Sequence, residues 1–123
     1  MPTPIYIAAY HQSPFGKLGD MPVPDIIGRA VPETCAAAGA DPAAIDVASI
    51  GATCNFSLNF QGLLAGLVAM TPGLAGKPIE SVENACASGG QAILSVVHKL
   101  LAGDGDVGLA LGYEKMRGPD GKA

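Results

Sequence analysis

Short apolar runs alternate with longer amphipathic ones along this chain, and that alternation restricts its fold more than any single residue does. Ile5 to Tyr10 (IYIAAY) is short, apolar and bounded by Pro4 and the Ser13-Pro14 turn, the pattern of a buried strand. Pro24 to Ala38 reads as a helix, with Pro24 and Asp25 suited to its first turn and Gly39 with Asp41-Pro42 to its end. Pro32 inside it removes a backbone donor and predicts a kink. Val47 to Ala52 (VASIGA) predicts a second strand, and Gln61 to Met70 a second helix closed by Thr71-Pro72-Gly73. Pro78 to Glu83 gives a third strand, the residues after Cys86 a third helix to about Ala102, and Val107 to Tyr113 a fourth strand. Four strands separated by three helices predict an α/β fold, with a parallel sheet covered on both faces.

The 123 residues, 49% of them hydrophobic, suffice for one core. A net charge of −4, with seven scattered Lys and Arg, provides no basic stripe for phosphates, so nucleic acid is not an expected partner. Three cysteines are too few for a disulfide framework, and no pair has zinc-ligand spacing; no metal is expected. No segment has the apolar length of a membrane span, and the N-terminus lacks the basic start and cleavage site of a signal peptide. A soluble cytoplasmic protein is expected. The loop from His11 to Val23 and the tail 117–123, rich in Gly, Pro and charge, are the expected mobile pieces.

Several motifs suggest chemistry that their context does not support. Gly103 to Gly108 (GDGDVG) has the spacing of a dinucleotide-binding fingerprint, but it follows a helix and precedes a strand, the reverse of the required order, and Asp104 and Asp106 would repel a phosphate. A polar turn is the expectation. Gly62 and Gly66 form a GxxxG suited to close helix packing in a core. His98 lies twelve positions beyond Cys86, about 18 Å along a helix, too far to activate that thiol. His11 follows the first strand, and Cys35 and Cys54 fit as small buried hydrophobes, Cys54 at a strand exit where a site could also form.

Cys86, in ENACASGGQAIL (83–94), has a context with chemical content. The start of the following helix carries free backbone N–H groups and partial positive charge, which favour a thiolate. Ser88-x-x-Gln91 has the form of a capping box, and Gly89 and Gly90 clear space for a substrate or a crossing backbone. Ala92, Ile93, Val96, Val97, Leu100 and Leu101 give the helix a broad apolar face to bury against the sheet. These features suit a nucleophile, although a structural cysteine could occupy the same position.

ENACASGGQAI, followed by GDVGLALGYEKM, resembles the nucleophile region of thiolases, most closely the sterol-carrier-protein-type branch. The resemblance is specific at 83–91 and 107–116, and looser over the opening strand, the first helix and the GATCNF segment. It implies a layered αβαβα fold of which residues 1–123 form an incomplete first half, with a mostly parallel sheet and a buried nucleophile helix. It implies that Cys86 is acylated by a 3-ketoacyl-CoA or acyl-CoA, with Ala87, Ser88, Gly89 and Gly90 lining the substrate. Backbone N–H groups would hold the thioester oxygen. Coenzyme A is then a substrate; no permanently bound cofactor is implied.

The family's later motifs have no match here: an Asn- or His-bearing loop, a Gly-His segment that activates the nucleophile, and a second cysteine acting as acid and base. The expectation is therefore a part of a longer enzyme, or a chain completed by a separate polypeptide, inactive alone and exposing apolar faces. The resemblance further implies a homodimer or hetero-oligomer, with a small zinc- or OB-fold-containing protein among possible partners, and a role in fatty acid or aromatic degradation. Two alternatives stand beside a thiolase: a ketoacyl-synthase-type condensing enzyme, and a non-catalytic acyl-CoA-binding or assembly subunit. A redox sensor is disfavoured, since no resolving cysteine lies close in sequence.

Overall fold

The computed structural model describes residues 3–118 and 120. Helix α1 spans Val23–Ala37, a 3₁₀ turn Pro42–Ala44, β1 Val47–Gly51, α2 Asn55–Asn59, α3 Leu64–Ala69, β2 Ile79–Val82, α4 Ser88–Ala102 and β3 Gly108–Gly112. The three strands form one parallel sheet in the order β2-β1-β3. Gly51 of central β1 stands opposite Val82 of β2 and Gly112 of β3, so the carboxyl ends of all three strands finish level.

Alternation along the strands sends successive side chains to opposite faces. Ala48 and Ile50 of β1 and Leu109 and Leu111 of β3 join Ile27 and Val31 of α1 and Leu64 and Val68 of α3 in the main core. Helix α4 packs on the other face, burying Ala92 and Val96. Both faces of the sheet are thus covered, as the alternating pattern predicts. Helix α1 has Pro24 and Asp25 in its first turn, and its last carbonyls are satisfied by Gly39 N–H to Ala36 and Ala40 N–H to Cys35, with Gly39 at φ +64°. Pro32 lies within this helix on its exposed side, where its missing N–H forfeits one bond without ending the helix.

Four local expectations need correction. Ile5 to Tyr10 is not a strand: it pairs with no strand among the described residues, and Tyr6 and Ile7 are 82% and 88% exposed. A strand-forming composition needs a neighbour to supply ladder hydrogen bonds, and none of the three strands takes one from it. The helix expected over 61–70 begins at Leu64, and a short α2 precedes it, because Phe60 and Leu63 adopt left-handed backbone (φ +53° and +50°) and break the chain into two turns. Gly62 therefore lies outside the helix, and Gly62 and Gly66 form no common packing face. Finally, the sheet covers only one stripe of α4: Ile93, Leu94 and Leu101 point outward and are half exposed. Of the expected mobile tail, residues 119 and 121–123 lie outside the described residues.

Candidate active site

The level ends of the sheet bring together three segments distant in sequence: Thr53-Cys54 after β1, Asn84 to Ala87 after β2, and Glu114 after β3. Cys86 lies in the second of these, two residues before α4 begins, and is exposed. The turn that carries it is closed by Ala87 N–H to Asn84 C=O (2.9 Å) and Ser88 N–H to Ala85 C=O (3.1 Å). Ala85, just before the cysteine, sits at φ +45°, a left-handed conformation that side chains with a Cβ rarely adopt.

Helix α4 reaches this turn because the sheet beneath it lacks side chains. A Cβ on Gly51 would lie 2.1 Å from the Ser88 carbonyl oxygen, and one on Gly112 would lie 3.8 Å from Gly89 Cα. Gly89 and Gly90 themselves face open space: a Cβ on either meets nothing within 4 Å. The first intrahelical bond runs from Gln91 N–H to Ala87 C=O at 2.9 Å, so the amides of Gly89 and Gly90 belong to the first turn, where N–H groups lack helical partners.

The expected capping box does not form. Ala87 occupies the N-cap and no side chain caps the helix. Ser88 is buried, and its Oγ accepts Asn84 N–H at 2.8 Å and contacts Ala85 C=O at 2.7 Å and Thr53 Oγ1 at 3.1 Å. A serine hydroxyl beside a tight turn finds nearer backbone partners than the N3 amide, and the turn wins. Ala87, Gly89 and Gly90 are exposed beside Cys86.

Two residues to which sequence reasoning gave no role complete the surroundings. Thr53 Oγ1 reaches Ala85 C=O at 2.7 Å, while the Glu114 carboxylate accepts Thr53 N–H and Cys54 N–H, each at 2.9 Å. Glu114 belongs to the GYEKM run and Thr53 to the GATCNF segment already singled out, but nothing in either marks the partners of Thr53, which lie 32 to 61 positions away. Next to Glu114, Tyr113 is buried without a hydroxyl partner among the described residues, and burial, aided by the Glu114 charge, pushes its phenol up to about 12.

Of the other candidates, only Cys54 lies in this cluster. Cys35 is buried in α1, and burial first, then the charge of Asp41, raises its thiol above the ordinary range. Cys54 sits at the start of α2, half-buried and tied into the cluster through its own amide. His98 is exposed on α4, and His11 pairs with Glu33 of α1 at 2.9 Å. Residues 103–108 form the expected turn, with Gly103 left-handed at the end of α4 and Asp46 accepting the amides of Asp106 and Val107. Among the described residues, no group of three His, Cys, Asp or Glu could hold a metal, and no helix is long and apolar enough to cross a membrane.

Residues 5–120 match the family model described as the thiolase N-terminal domain. The chain is 36% identical over 115 residues to the acetyl-CoA acetyltransferase of Methanocaldococcus jannaschii, and 33% identical over 115 residues to that of Methanothermobacter thermautotrophicus. Each match covers 91% of this chain and 29% of the relative, so the chain spans less than a third of the length of these relatives.

Proposed function

The chain belongs to the thiolase family, and from that premise we propose that it supplies the nucleophilic cysteine, Cys86, for acyl transfer from a coenzyme A thioester. The observation that supports this most is the exposure of the thiol at the β2–α4 turn, directly ahead of the first-turn amides of α4. In this reading the Cys86 sulfur attacks the thioester carbonyl carbon and a new S–C bond forms. The carbonyl electrons move to oxygen, where N–H donors of the kind found in a helix's first turn stabilise the oxyanion. They return as the bond to the coenzyme A sulfur breaks. The proton lost by the cysteine ends on the released thiol, carried by a general base that this reading assigns to the remainder of the fold. In Claisen condensation the acyl group then passes from Cys86 to the carbanion of a second acyl-CoA. In thiolytic cleavage Cys86 instead attacks the 3-keto carbon of a 3-ketoacyl-CoA, the C2–C3 bond breaks, and C2 takes a proton as acetyl-CoA leaves. The acyl group then passes from Cys86 to the sulfur of coenzyme A.

Open space over Gly89 and Gly90, beside exposed Cys86 and Ala87, supports a thioester lying across the start of α4. Ser88 enters this reading as a support for the turn rather than as a substrate contact, since its hydroxyl is buried among Asn84, Ala85 and Thr53. The remainder of the fold, on the same polypeptide or another, would provide the acid and base groups and cover the outer side of α4.

The complete enzyme carrying this chain, mixed with acyl-CoA alone, is expected to release a burst of one free coenzyme A thiol per Cys86. Cys86→Ala is expected to release none. A burst undiminished in that variant would contradict the reading. Acylation only from a carrier protein would favour a ketoacyl-synthase-type enzyme, and binding of acyl-CoA without release a non-catalytic subunit.

A further inference from the structure

Building on the nucleophile reading, we propose that Thr53 and Glu114 are positioning residues that fix the Cys86 turn from outside it. The strained point of that turn is Ala85, held at φ +45° immediately before the cysteine. Such a conformation persists only where its surroundings over-determine it. Three contacts converge there: Thr53 Oγ1 to Ala85 O (2.7 Å), Ser88 Oγ to Ala85 O (2.7 Å), and Thr53 Oγ1 to Ser88 Oγ (3.1 Å). Two hydroxyl protons must serve these three contacts. In every arrangement that forms two hydrogen bonds, at least one proton points at Ala85 C=O. Asn84 N–H occupies a further lone pair of Ser88 Oγ, which leaves that hydroxyl oriented by the turn itself.

Ser88 is the first residue of α4, so its hydroxyl ties Ala85 to that helix and cannot by itself tie it to the segment that leaves β1. Thr53 can, because it lies beyond the end of central β1. Its own position is fixed by Glu114 from the far side: one carboxylate oxygen accepts Thr53 N–H and the other accepts Cys54 N–H. A carboxylate spanning two consecutive amides restricts both distance and rotation, and charge-assisted bonds of this kind are stronger than neutral ones. The chain of contacts thus runs from β3 through Glu114 to Thr53, then to Ala85 and Cys86, and it ties three strand exits into one frame. The hydrogen bonds of both residues go to backbone groups and to Ser88 Oγ, so both act through the backbone.

The test uses the complete enzyme with Thr53→Val, Thr53→Ser and Glu114→Gln. Two rates are followed on each: coenzyme A release from acyl-CoA, and iodoacetamide alkylation resolved by peptide. Thr53→Val keeps the shape and removes the hydroxyl, and Glu114→Gln puts an NH₂ against one of the two amides. Both are expected to slow coenzyme A release by about tenfold, within the roughly hundredfold that a misplacement of about 1 Å can cost, and to move the alkylation rate of Cys86 away from the parent's, with Thr53→Ser restored to within about twofold of the parent in each assay. Buried Cys35 reports on the fold and is expected to stay protected throughout. If Thr53→Val exposes Cys35, Glu114→Gln, changed only on the surface, carries the same comparison. Cys86 reacting at the parent rate in the folded variants, or Thr53→Ser as slow as Thr53→Val, would overturn the proposal. Alkylation does not require acyl-CoA, so an enzyme that never releases coenzyme A would sink the nucleophile reading and leave this comparison intact.

Discussion

A methyl group on Gly51 would lie 2.1 Å from the Ser88 carbonyl oxygen and 2.5 Å from its carbonyl carbon, both backbone atoms that cannot swing aside. Helix α4 would have to lift from the sheet at the end that carries Cys86. Gly51→Ala is therefore expected to destabilise the fold by about 1–3 kcal/mol, the usual cost of overpacking, and to slow acylation of Cys86 as well. Thermal unfolding and the coenzyme A burst, measured on the same preparation, check the two halves of that expectation. Gly89 and Gly90 differ from Gly51. A glycine inside a helix costs roughly 0.5–1 kcal/mol relative to alanine, and nothing among the described residues fills the space their missing side chains leave. The sequence made Cys86 and its glycines conspicuous, because small residues at a strand-to-helix junction form a local pattern. It hid what Thr53 and Glu114 do, although both lie in segments that the resemblance covers, because a hydroxyl and a carboxylate separated from their partners by 32 to 61 residues leave no local trace of those bonds.

The elements that could be read in advance carry their own start and stop signals. Helix α1 has Pro24 and Asp25 at one end and Gly39 at the other; β1 and β3 are short apolar runs bounded by turns. Ile5 to Tyr10 has the same composition, yet it stays outside the sheet, since a strand is a property of a pair and its partner cannot be read from one segment. The capping box failed for a related reason, as Ser88 was captured by the turn before it. At the opposite end of the sheet, Asp46 joins the start of β1 to the loop before β3 by accepting Asp106 N–H at 2.8 Å and Val107 N–H at 3.0 Å. Those two bonds hold its carboxyl below the ordinary range, against a smaller opposing effect of desolvation and with help from Lys77. A depressed carboxyl contributes stability above its unfolded value and loses that contribution as pH falls through the folded value. Acidification below about pH 4 is thus expected to loosen this junction, seen as faster exchange of the Asp106 and Val107 amides. Asp46→Asn is expected to flatten that pH dependence, and an unchanged acid response in this variant would remove Asp46 from the account.

At the scale of the whole molecule, the described residues complete a three-stranded sheet covered on both faces, but not the surfaces around it. Tyr6 and Ile7 of the N-terminal segment and Leu94 and Leu101 on the outer side of α4 stand exposed, apolar side chains without cover among the described residues. That agrees with a chain matching less than a third of its relatives' length. The turn that carries Cys86 is held by contacts among residues 51–114, and the proposed function assigns acylation to this turn and the proton transfers to the remainder of the fold. The most direct measurement is peptide mass spectrometry of the complete enzyme, quenched in acid after brief exposure to acyl-CoA. The account predicts the acyl mass, as a hydroxylamine-sensitive thioester, on the peptide containing Cys86, with Cys35 and Cys54 unmodified. An acyl group found on Cys54 or on another chain, with Cys86 free throughout turnover, would contradict it.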